Sequence, residues 1–181
     1  MIPLKVINLW AGPGAGKSTA AAGLFHLMKH EGYAVELVTE YAKDLTYERN
    51  WALLNNQRFV TREQDRRLRR LQGQAEWAIT DSPLPLGLVY AEPNTMDLML
   101  WGLFEDPAYQ NFNVWVERNK LYSQLGRTQT EDEAKALDVK IAKHFGLAHG
   151  PHLMTPGDPQ APYRILAWLK SLGHQSAQPT S

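Results

Sequence analysis

The residues with the most specific chemistry form a glycine-rich loop near the start of the chain. The segment Ala11-Gly12-Pro13-Gly14-Ala15-Gly16-Lys17-Ser18 has the spacing of the Walker A motif, with alanine in place of its first glycine. Glycines let backbone N–H groups turn inward around a phosphate, and the following helix adds its positive dipole end. In this chemistry the lysine reaches the outer phosphates and the serine hydroxyl helps to hold Mg²⁺. The motif predicts that ATP binds at Gly12, Pro13, Gly14, Ala15, Gly16, Lys17, Ser18 and Thr19.

The surroundings of the motif support this interpretation. Residues 4–10 form a mainly apolar run that predicts a buried parallel strand. An amphipathic helix follows the motif to about Glu31, and Gly32 ends it. A second strand is predicted over residues 34–39, so the order strand, loop, helix, strand requires a parallel, right-handed crossover.

Two carboxylates follow predicted strands. Glu40 ends the second strand, which we expect beside the P-loop strand, and Asp81 ends a third strand over residues 77–81. Reacting groups of an open α/β sheet gather at the carboxyl ends of its strands. Phosphoryl transfer needs one group that orients or deprotonates the acceptor hydroxyl and another that holds Mg²⁺. We assign the first role to Glu40 and the second to Asp81 with Ser18, and the reverse assignment of the two carboxylates stays open.

A basic segment over residues 117–130 follows a fourth predicted strand over residues 112–116. Arg118 and Arg127 are catalytic candidates there, since a guanidinium can meet the charge of a phosphoryl group in transit bidentately. A closing lid would also exclude the water that otherwise hydrolyses ATP. A capping box at Thr130 opens the next helix, and a fifth strand and a last helix are predicted after it.

Residues 56–75 are predicted to be helical and carry six of the chain's ten arginines. At about 100° per residue, five arginines and one aromatic side chain share an arc of about 120°. These are Arg58, Arg62, Arg66, Arg69, Arg70 and Phe59. Such a surface fits a nucleic-acid backbone with a stacked base, and it also fits a mononucleotide phosphate. We expect the acceptor to contact Tyr41, Arg58, Phe59, Arg62 and Arg66, with Tyr47 and Trp51 as further stacking candidates.

Composition and absent motifs narrow the class of protein. The 181 residues carry 19 basic and 19 acidic side chains, so the chain has no overall basic field. Cysteine is absent, which excludes disulfides, thiolate zinc sites and a cysteine nucleophile. The Asn-Lys-x-Asp base reader of GTPases is missing, because Asn119-Lys120 is followed by Leu121-Tyr122. No apolar run approaches the ~18 residues of a membrane span, and no signal peptide is recognisable, so we expect a cytoplasmic protein.

Four segments of the chain resemble bacteriophage P-loop kinases. They are Gly12-Pro13-Gly14-Ala15-Gly16-Lys17-Ser18-Thr19, the segment 35–44 with Glu40-Tyr41-Ala42-Lys43-Asp44, Thr80-Asp81-Ser82-Pro83-Leu84 and Gly126-Arg127-Thr128-Gln129-Thr130-Glu131. Some members of this family are hydroxymethyluracil DNA kinases, which phosphorylate the hydroxymethyl group of a modified base within DNA. The resemblance implies a sheet like that of nucleotide kinases and ATP on the P-loop. Thr128 stands where the family usually has asparagine.

Together these features predict a three-layer α/β/α P-loop fold with a parallel five-stranded sheet and a basic lid. Residues 1–172 are expected to form a single kinase domain, and residues 173–181 a disordered tail. The predicted activity is ATP- and Mg²⁺-dependent phosphorylation of hydroxymethyluracil in phage DNA, in the host cytoplasm if the protein is phage-encoded. A deoxynucleoside monophosphate kinase and a regulatory P-loop ATPase are the alternatives.

Overall fold

A parallel sheet forms the centre of the molecule. The computed structural model describes residues 2–91, 96–119 and 130–176. The strands of these residues are β1 (Leu4–Trp10), β2 (Val35–Val38), β3 (Trp77–Thr80), β4 (Tyr109–Glu117) and β5 (His152–Pro156). All neighbours pair in parallel, in the order β2-β3-β1-β4-β5. The predicted five-stranded parallel sheet is confirmed.

Helices cover both faces of this sheet. In the described part of the chain they are α1 (Lys17–His30), α2 (Tyr41–Tyr47), α3 (Trp51–Leu54), α4 (Gln57–Arg69), α5 (Gly87–Tyr90), α6 (Asp97–Phe104), α7 (Glu131–Phe145) and α8 (Ala161–Ser171). A short 3₁₀ helix at Leu84–Leu86 precedes α5. The predicted capping box is present at the start of α7, where the Thr130 hydroxyl accepts from the Glu133 N–H and the Glu133 carboxylate accepts from the Thr130 N–H.

Successive side chains of a strand point to opposite faces of the sheet, so the core consists of two apolar clusters, one on each face. On one face Ile7 and Leu9 of β1 pack with Leu24 of α1 and Ile165 of α8. On the other face Leu4, Val6 and Trp10 of β1 pack with side chains of the opposite helices, which are Leu68 of α4, Phe104 of α6 and Ile141 of α7. A sheet that is apolar on both sides needs a helical layer on each. The predicted three-layer arrangement is therefore confirmed.

The strand order corrects one expectation about the site. The neighbours of β1 are β3 and β4, so β3 lies between β1 and β2. Glu40 follows β2 and is thus one strand further from the P-loop strand than expected, whereas Asp81 follows the adjacent strand β3. The crossover from β1 through α1 to β2 skips one position in the sheet, and the chain returns to fill it with β3.

Buried amides join β1 to β4. The Trp10 indole N–H donates to Asn113 Oδ1 at 3.0 Å, and Asn8 Nδ2 donates to Asn111 Oδ1 at 2.9 Å. Asn111 Nδ2 in turn donates to the Phe104 carbonyl at 2.7 Å. Each buried amide thus has a partner, which removes the cost of placing it in the interior. Pairing with β1 begins at Leu4 and Tyr109, so β4 starts three residues before the predicted start at residue 112.

The end of the described chain is packed against the core. The His174 ring contacts the edges of Trp77 and Phe112, and its carbonyl accepts from the Tyr33 hydroxyl at 3.1 Å. The expected disorder therefore does not begin at residue 173, and residues 177–181 lie outside the described residues. No helix in the described part of the chain has the length and apolar character to cross a bilayer.

Candidate functional site

The phosphate loop connects the end of β1 at Trp10 to the start of α1 at Lys17. Gly14 and Gly16 have φ values of 81° and 112°, which residues with a side chain rarely adopt. Gly16 is also the N-cap of α1 and has no side chain to occupy the helix end. The first-turn N–H groups of α1 therefore face an open site, the arrangement that binds phosphate at a helix N-terminus.

The Lys17 ammonium lies over the first half of the loop. Its Nζ donates to the Ala11 carbonyl at 2.7 Å and to the Gly12 carbonyl at 3.1 Å. Burial lowers the pKa of Lys17 below its ordinary value. Nearby carboxylates partly offset this effect, namely those of Glu40, Asp81 and Asp138. The Arg118 guanidinium acts in the same direction as burial, so the site combines two cations with three carboxylates.

A cavity of about 320 Å³ extends from the P-loop toward α2, α3 and α4. Its charged lining residues, within the described chain, are Lys17, Glu40 and Lys43. The rest of its polar wall is neutral and comprises Ser18, Thr19, Thr46, Asn55, Gln57, Thr61, Gln64, Ser82 and Tyr90. Apolar side chains complete it, among them Leu54, Val60, Leu84 and Leu86. This volume suits a small ring system next to the phosphates.

Glu40 lines this cavity from the N-cap position of α2, with extended backbone. A buried glutamine fixes its two neighbours: Gln64 Oε1 accepts from the Tyr41 N–H at 3.0 Å, and Gln64 Nε2 donates to the Thr39 carbonyl at 3.2 Å. The same Nε2 lies 3.3 Å from Thr80 Oγ1 at the end of β3. Gln64 therefore ties the ends of two strands together and holds the peptide segment that carries Glu40.

Asp81 is buried behind the cavity wall, and its Oδ1 has no hydrogen-bond partner in the described structure. A buried carboxylate oxygen without a partner is costly unless an ion or a water reaches it. Ser18 is exposed in the first turn of α1. One carboxylate and one hydroxyl, completed by phosphate oxygens, match the ligands that Mg²⁺ uses in nucleotide sites. These two residues therefore fit the predicted metal role.

Arg118 lies at the P-loop as expected, but other groups hold its guanidinium. Its Nε donates to Asp138 Oδ2 at 3.0 Å and its Nη1 donates to the Pro13 carbonyl at 2.9 Å. Asp138 Oδ1 accepts from the Gly12 N–H at 2.6 Å. Arg118 thus braces the loop in this structure. Arg127 and the rest of the predicted lid from residue 120 to residue 129 lie outside the described residues.

The arginine surface of α4 is more neutralised than its own sequence indicates. Arg66 forms a bidentate pair with Glu63 at 2.8 and 2.6 Å. Arg69 bridges Asp65 at 2.7 Å and Asp106 at 2.8 Å. The prediction that this helix points its arginines outward is confirmed for Arg58, Arg62, Arg66 and Arg70, which are exposed. Of the described residues, none forms an ion pair with Arg62 or Arg70.

None of the predicted acceptor-binding residues lines the cavity beside the P-loop. Tyr41 packs with its ring 6.0 Å from that of Phe59 and 4.7 Å from the Arg67 guanidinium. Arg58 lines a second cavity of about 480 Å³, which shares Asn55, Gln57 and Tyr90 with the first. Four exposed aromatic side chains lie on α2, α3, α4 and α5, one on each: Tyr47, Trp51, Phe59 and Tyr90. The candidates therefore surround the cavity rather than form it.

Sequence reasoning missed two residues that organise the site, Gln64 and Asp138. Each is a polar residue on the inward face of an amphipathic helix: Gln64 lies four positions after Val60, and Asp138 four after Ala134. A buried polar side chain normally has a specific partner. An acid or amide in an apolar stripe was thus the available signal.

Comparison with known proteins identifies the fold. A deoxyadenosine kinase from M. mycoides, solved with the products dCMP and dCDP, superposes with a TM-score of 0.59 at 14% identity, covering 93% of this chain and 98% of that one. Shikimate kinase from Aquifex aeolicus gives a TM-score of 0.51 at 15% identity, with 93% and 98% covered. Shikimate kinase from Bacteroides thetaiotaomicron gives 0.51 at 11% identity, with 94% and 99% covered. Models of protein families and curated protein sequences give no match.

These likenesses extend over nearly the whole chain, so the chain has the fold of P-loop kinases of this size. The chain therefore has a P-loop fold of the nucleotide-kinase type, with the Walker A loop at the end of β1.

Proposed function

We propose that this chain is an ATP- and Mg²⁺-dependent kinase that phosphorylates a hydroxyl group on an uncharged ring. The observation that carries the proposal is a cavity that joins the P-loop and Glu40 to a wall from α2, α3, α4 and residues 82–90, in which Lys43 is the one charged side chain of the described residues. Phosphoryl transfer requires the acceptor hydroxyl and the terminal phosphate to meet in a protected site. A P-loop ATPase that acts only as a switch has no need of such a pocket.

The residues divide the chemistry among them. Lys17 would contact the outer phosphates, and Arg127 is a further candidate for that charge. Ser18 and Asp81 would hold Mg²⁺, which when bound neutralises part of the phosphate charge. Glu40 would accept the proton of the acceptor hydroxyl as the new bond forms. Gln64 would keep Glu40 in place through the backbone on either side of it.

The wall of the cavity favours an acceptor without a phosphate group. Arginine forks are the usual partners of a bound phosphate, and no arginine is found among the described lining residues. Among the described lining residues beyond the P-loop, Lys43 is the one cation. Amide and hydroxyl groups dominate instead, and these suit the edge of a heterocyclic base. The monophosphate kinase alternative therefore has less support than a nucleoside or base acceptor.

For the acceptor itself we propose the hydroxymethyl group of a modified pyrimidine in DNA. The resemblance to phage P-loop kinases supports this choice, as do the exposed arginines and aromatics around the cavity. A base turned out of a DNA strand would enter the cavity. Its neighbour would occupy the second cavity, whose lining includes the cation Arg58 and the aromatic ring of Tyr90. A free deoxynucleoside is the second candidate, favoured by the likeness to a deoxyadenosine kinase.

A phosphate-transfer assay with γ-labelled ATP tests this proposal. The acceptors are an oligonucleotide with hydroxymethyluracil, the matching unmodified oligonucleotide, the free hydroxymethyl nucleoside and its 5′-monophosphate, each beside an Lys17→Ala control. We expect label on the hydroxymethyl oxygen, with the oligonucleotide preferred to the nucleoside. Release of phosphate that no acceptor changes would instead identify an ATPase. Label on the 5′-phosphate would identify a monophosphate kinase.

Lys43→Met sharpens the choice among acceptors. If the acceptor is neutral at the cavity, loss of this ammonium leaves the KM of the nucleoside within about threefold. If the phosphate of a monophosphate acceptor binds at Lys43, the variant loses a charge-assisted contact worth roughly 1.5–3 kcal/mol, and the KM of the 5′-monophosphate rises by tenfold or more. Lys140→Met, an exposed lysine change on α7, is the matched control.

A further inference from the structure

Asp138 of α7 makes the contacts of a residue that shapes the phosphate loop. Its two carboxylate oxygens are used separately: Oδ1 accepts from the Gly12 N–H at 2.6 Å, and Oδ2 accepts from Arg118 Nε at 3.0 Å. The side chains of Arg118 and Asp138 are largely buried, with 13% and 21% of their surface exposed. Charge-assisted hydrogen bonds in such a place are the stronger kind.

Arg118 continues the chain of contacts to the next peptide of the loop. Its Nη1 donates to the Pro13 carbonyl at 2.9 Å, and Lys17 Nζ donates to the carbonyls of Ala11 and Gly12. Three successive carbonyls of the loop thus accept from cations, while the one N–H among them that faces α7 donates to a carboxylate. This alternation fixes the orientation of the peptide planes that lead into the phosphate-binding turn.

The glycine at position 12 allows α7 to approach this closely. A Cβ added to Gly12 would collide with Asp138 Oδ1 and would lie 2.8 Å from the Ala134 carbonyl. The φ of Gly12 is not positive, so the backbone conformation alone does not require glycine there. Close approach of the helix carrying Asp138 is the structural reason for glycine at this position.

We infer that Asp138 is a positioning residue of the phosphate loop, which acts on bound nucleotide through Gly12 and through Arg118. The inference rests on nucleotide binding by the P-loop, which is part of the proposed function, and does not depend on the acceptor. It also assigns Arg118 a bracing role, beside or instead of contact with the transferred phosphate. The pair is expected to behave as one unit.

Nucleotide affinity measured by calorimetry tests the inference without any transfer assay. Asp138→Asn and Arg118→Gln are each expected to raise the Kd of ATP and ADP about tenfold, or about 1.4 kcal/mol. The double variant is expected to raise the Kd of ATP by no more than about twentyfold, because removing either partner already breaks the interaction between them. The Kd of adenosine, which lacks phosphates, is expected to change less than twofold.

Controls separate positioning from general stability. Asp132→Asn removes an acid from the exposed first turn of the same helix and is expected to leave the ATP Kd unchanged. Asp138→Glu is expected to recover part of the affinity, because it keeps the carboxylate. Tighter ATP binding by Asp138→Asn would show that freed Arg118 is a phosphate ligand restrained by Asp138, which would overturn the inference. A lower Tm with an unchanged Kd would overturn it as well. If the wild-type chain binds no nucleotide, the proposed function itself fails.

Discussion

Gln64 offers the most direct test of how the fold positions Glu40, the proposed general base. Its side-chain amide is buried and makes three hydrogen bonds, to the Tyr41 N–H, the Thr39 carbonyl and the Thr80 hydroxyl. Gln64→Leu keeps the approximate volume and removes all three. The backbone on both sides of Glu40 then loses its fixed partners.

The expected cost follows from these contacts. A buried donor or acceptor left without a partner costs roughly 1–3 kcal/mol, and each neutral bond contributes about 0.5–1.5 kcal/mol net. The two backbone groups are only part-buried, so water can replace some of the loss. We therefore expect Gln64→Leu to lower the free energy of unfolding by about 2 kcal/mol, equivalent to about 4–8 °C in Tm for a chain of this size.

The effect on catalysis is expected to exceed the effect on stability. A shift of about 1 Å in a catalytic group can cost about 10²-fold in rate. We expect kcat to fall by about 10–100-fold, while the ATP Kd stays within about twofold because no P-loop contact is altered. Steady-state kinetics, calorimetry and thermal unfolding measure these quantities, with exposed Gln74→Leu as control. A lowered Tm with an unchanged kcat would refute the link from Gln64 to Glu40.

Two further predictions concern the charged groups of the site. Burial lowers the pKa of Lys17, so above that pKa the free protein must take up a proton to bind ATP through an ammonium. We expect the ATP Kd to rise as the pH rises through the lowered pKa of Lys17, because the phosphate is already ionised at neutral pH. Calorimetry in buffers of different ionisation enthalpy measures the proton uptake, and Lys17→Arg is expected to abolish it. For the carboxylates, we expect Glu40→Gln to keep the ATP Kd within a few-fold but to lose about 10²–10⁴ in transfer rate. Asp81→Asn is expected mainly to raise the Mg²⁺ requirement, and opposite symptoms in a Mg²⁺ titration would reverse the two roles.

The P-loop and the sheet could be predicted because their signals are local. Glycines at fixed spacing and short apolar runs determine the loop and the strands within a few residues of sequence. The predicted start of β4 was too late because Gln110 and Asn111 are polar by type, yet Asn111 has buried partners on other elements. Such partners are more than 30 residues away for some of these bonds, and no local pattern shows them.

The arginine helix shows the same limit in its electrostatics. The acids on α4 itself, Glu63 and Asp65, are too few to neutralise its five arginines. The fold brings two more acids to it: Asp44 of α2, 2.7 Å from Arg67, and Asp106 after α6, 2.8 Å from Arg69. Charge neutralisation of a helix face thus depends on its neighbours in the fold. The prediction of a polymer contact therefore depends more on Arg62 and Arg70, for which the described residues supply no ion pair, than on Arg66 or Arg69.

The order of elements along the chain also separates the segments proposed to bind the acceptor from those proposed to bind ATP. Between β2 and β3 the chain forms α2, α3 and α4, which supply much of the cavity wall beyond the P-loop. The P-loop joins β1 to α1, and its brace comes from α7. The wall can therefore change without altering the phosphate chemistry, which accounts for one fold serving kinases named for acceptors as different as deoxyadenosine and shikimate. It follows that the acceptor must be established from the α2–α4 wall, by variants such as Lys43→Met, because the P-loop is compatible with every acceptor considered.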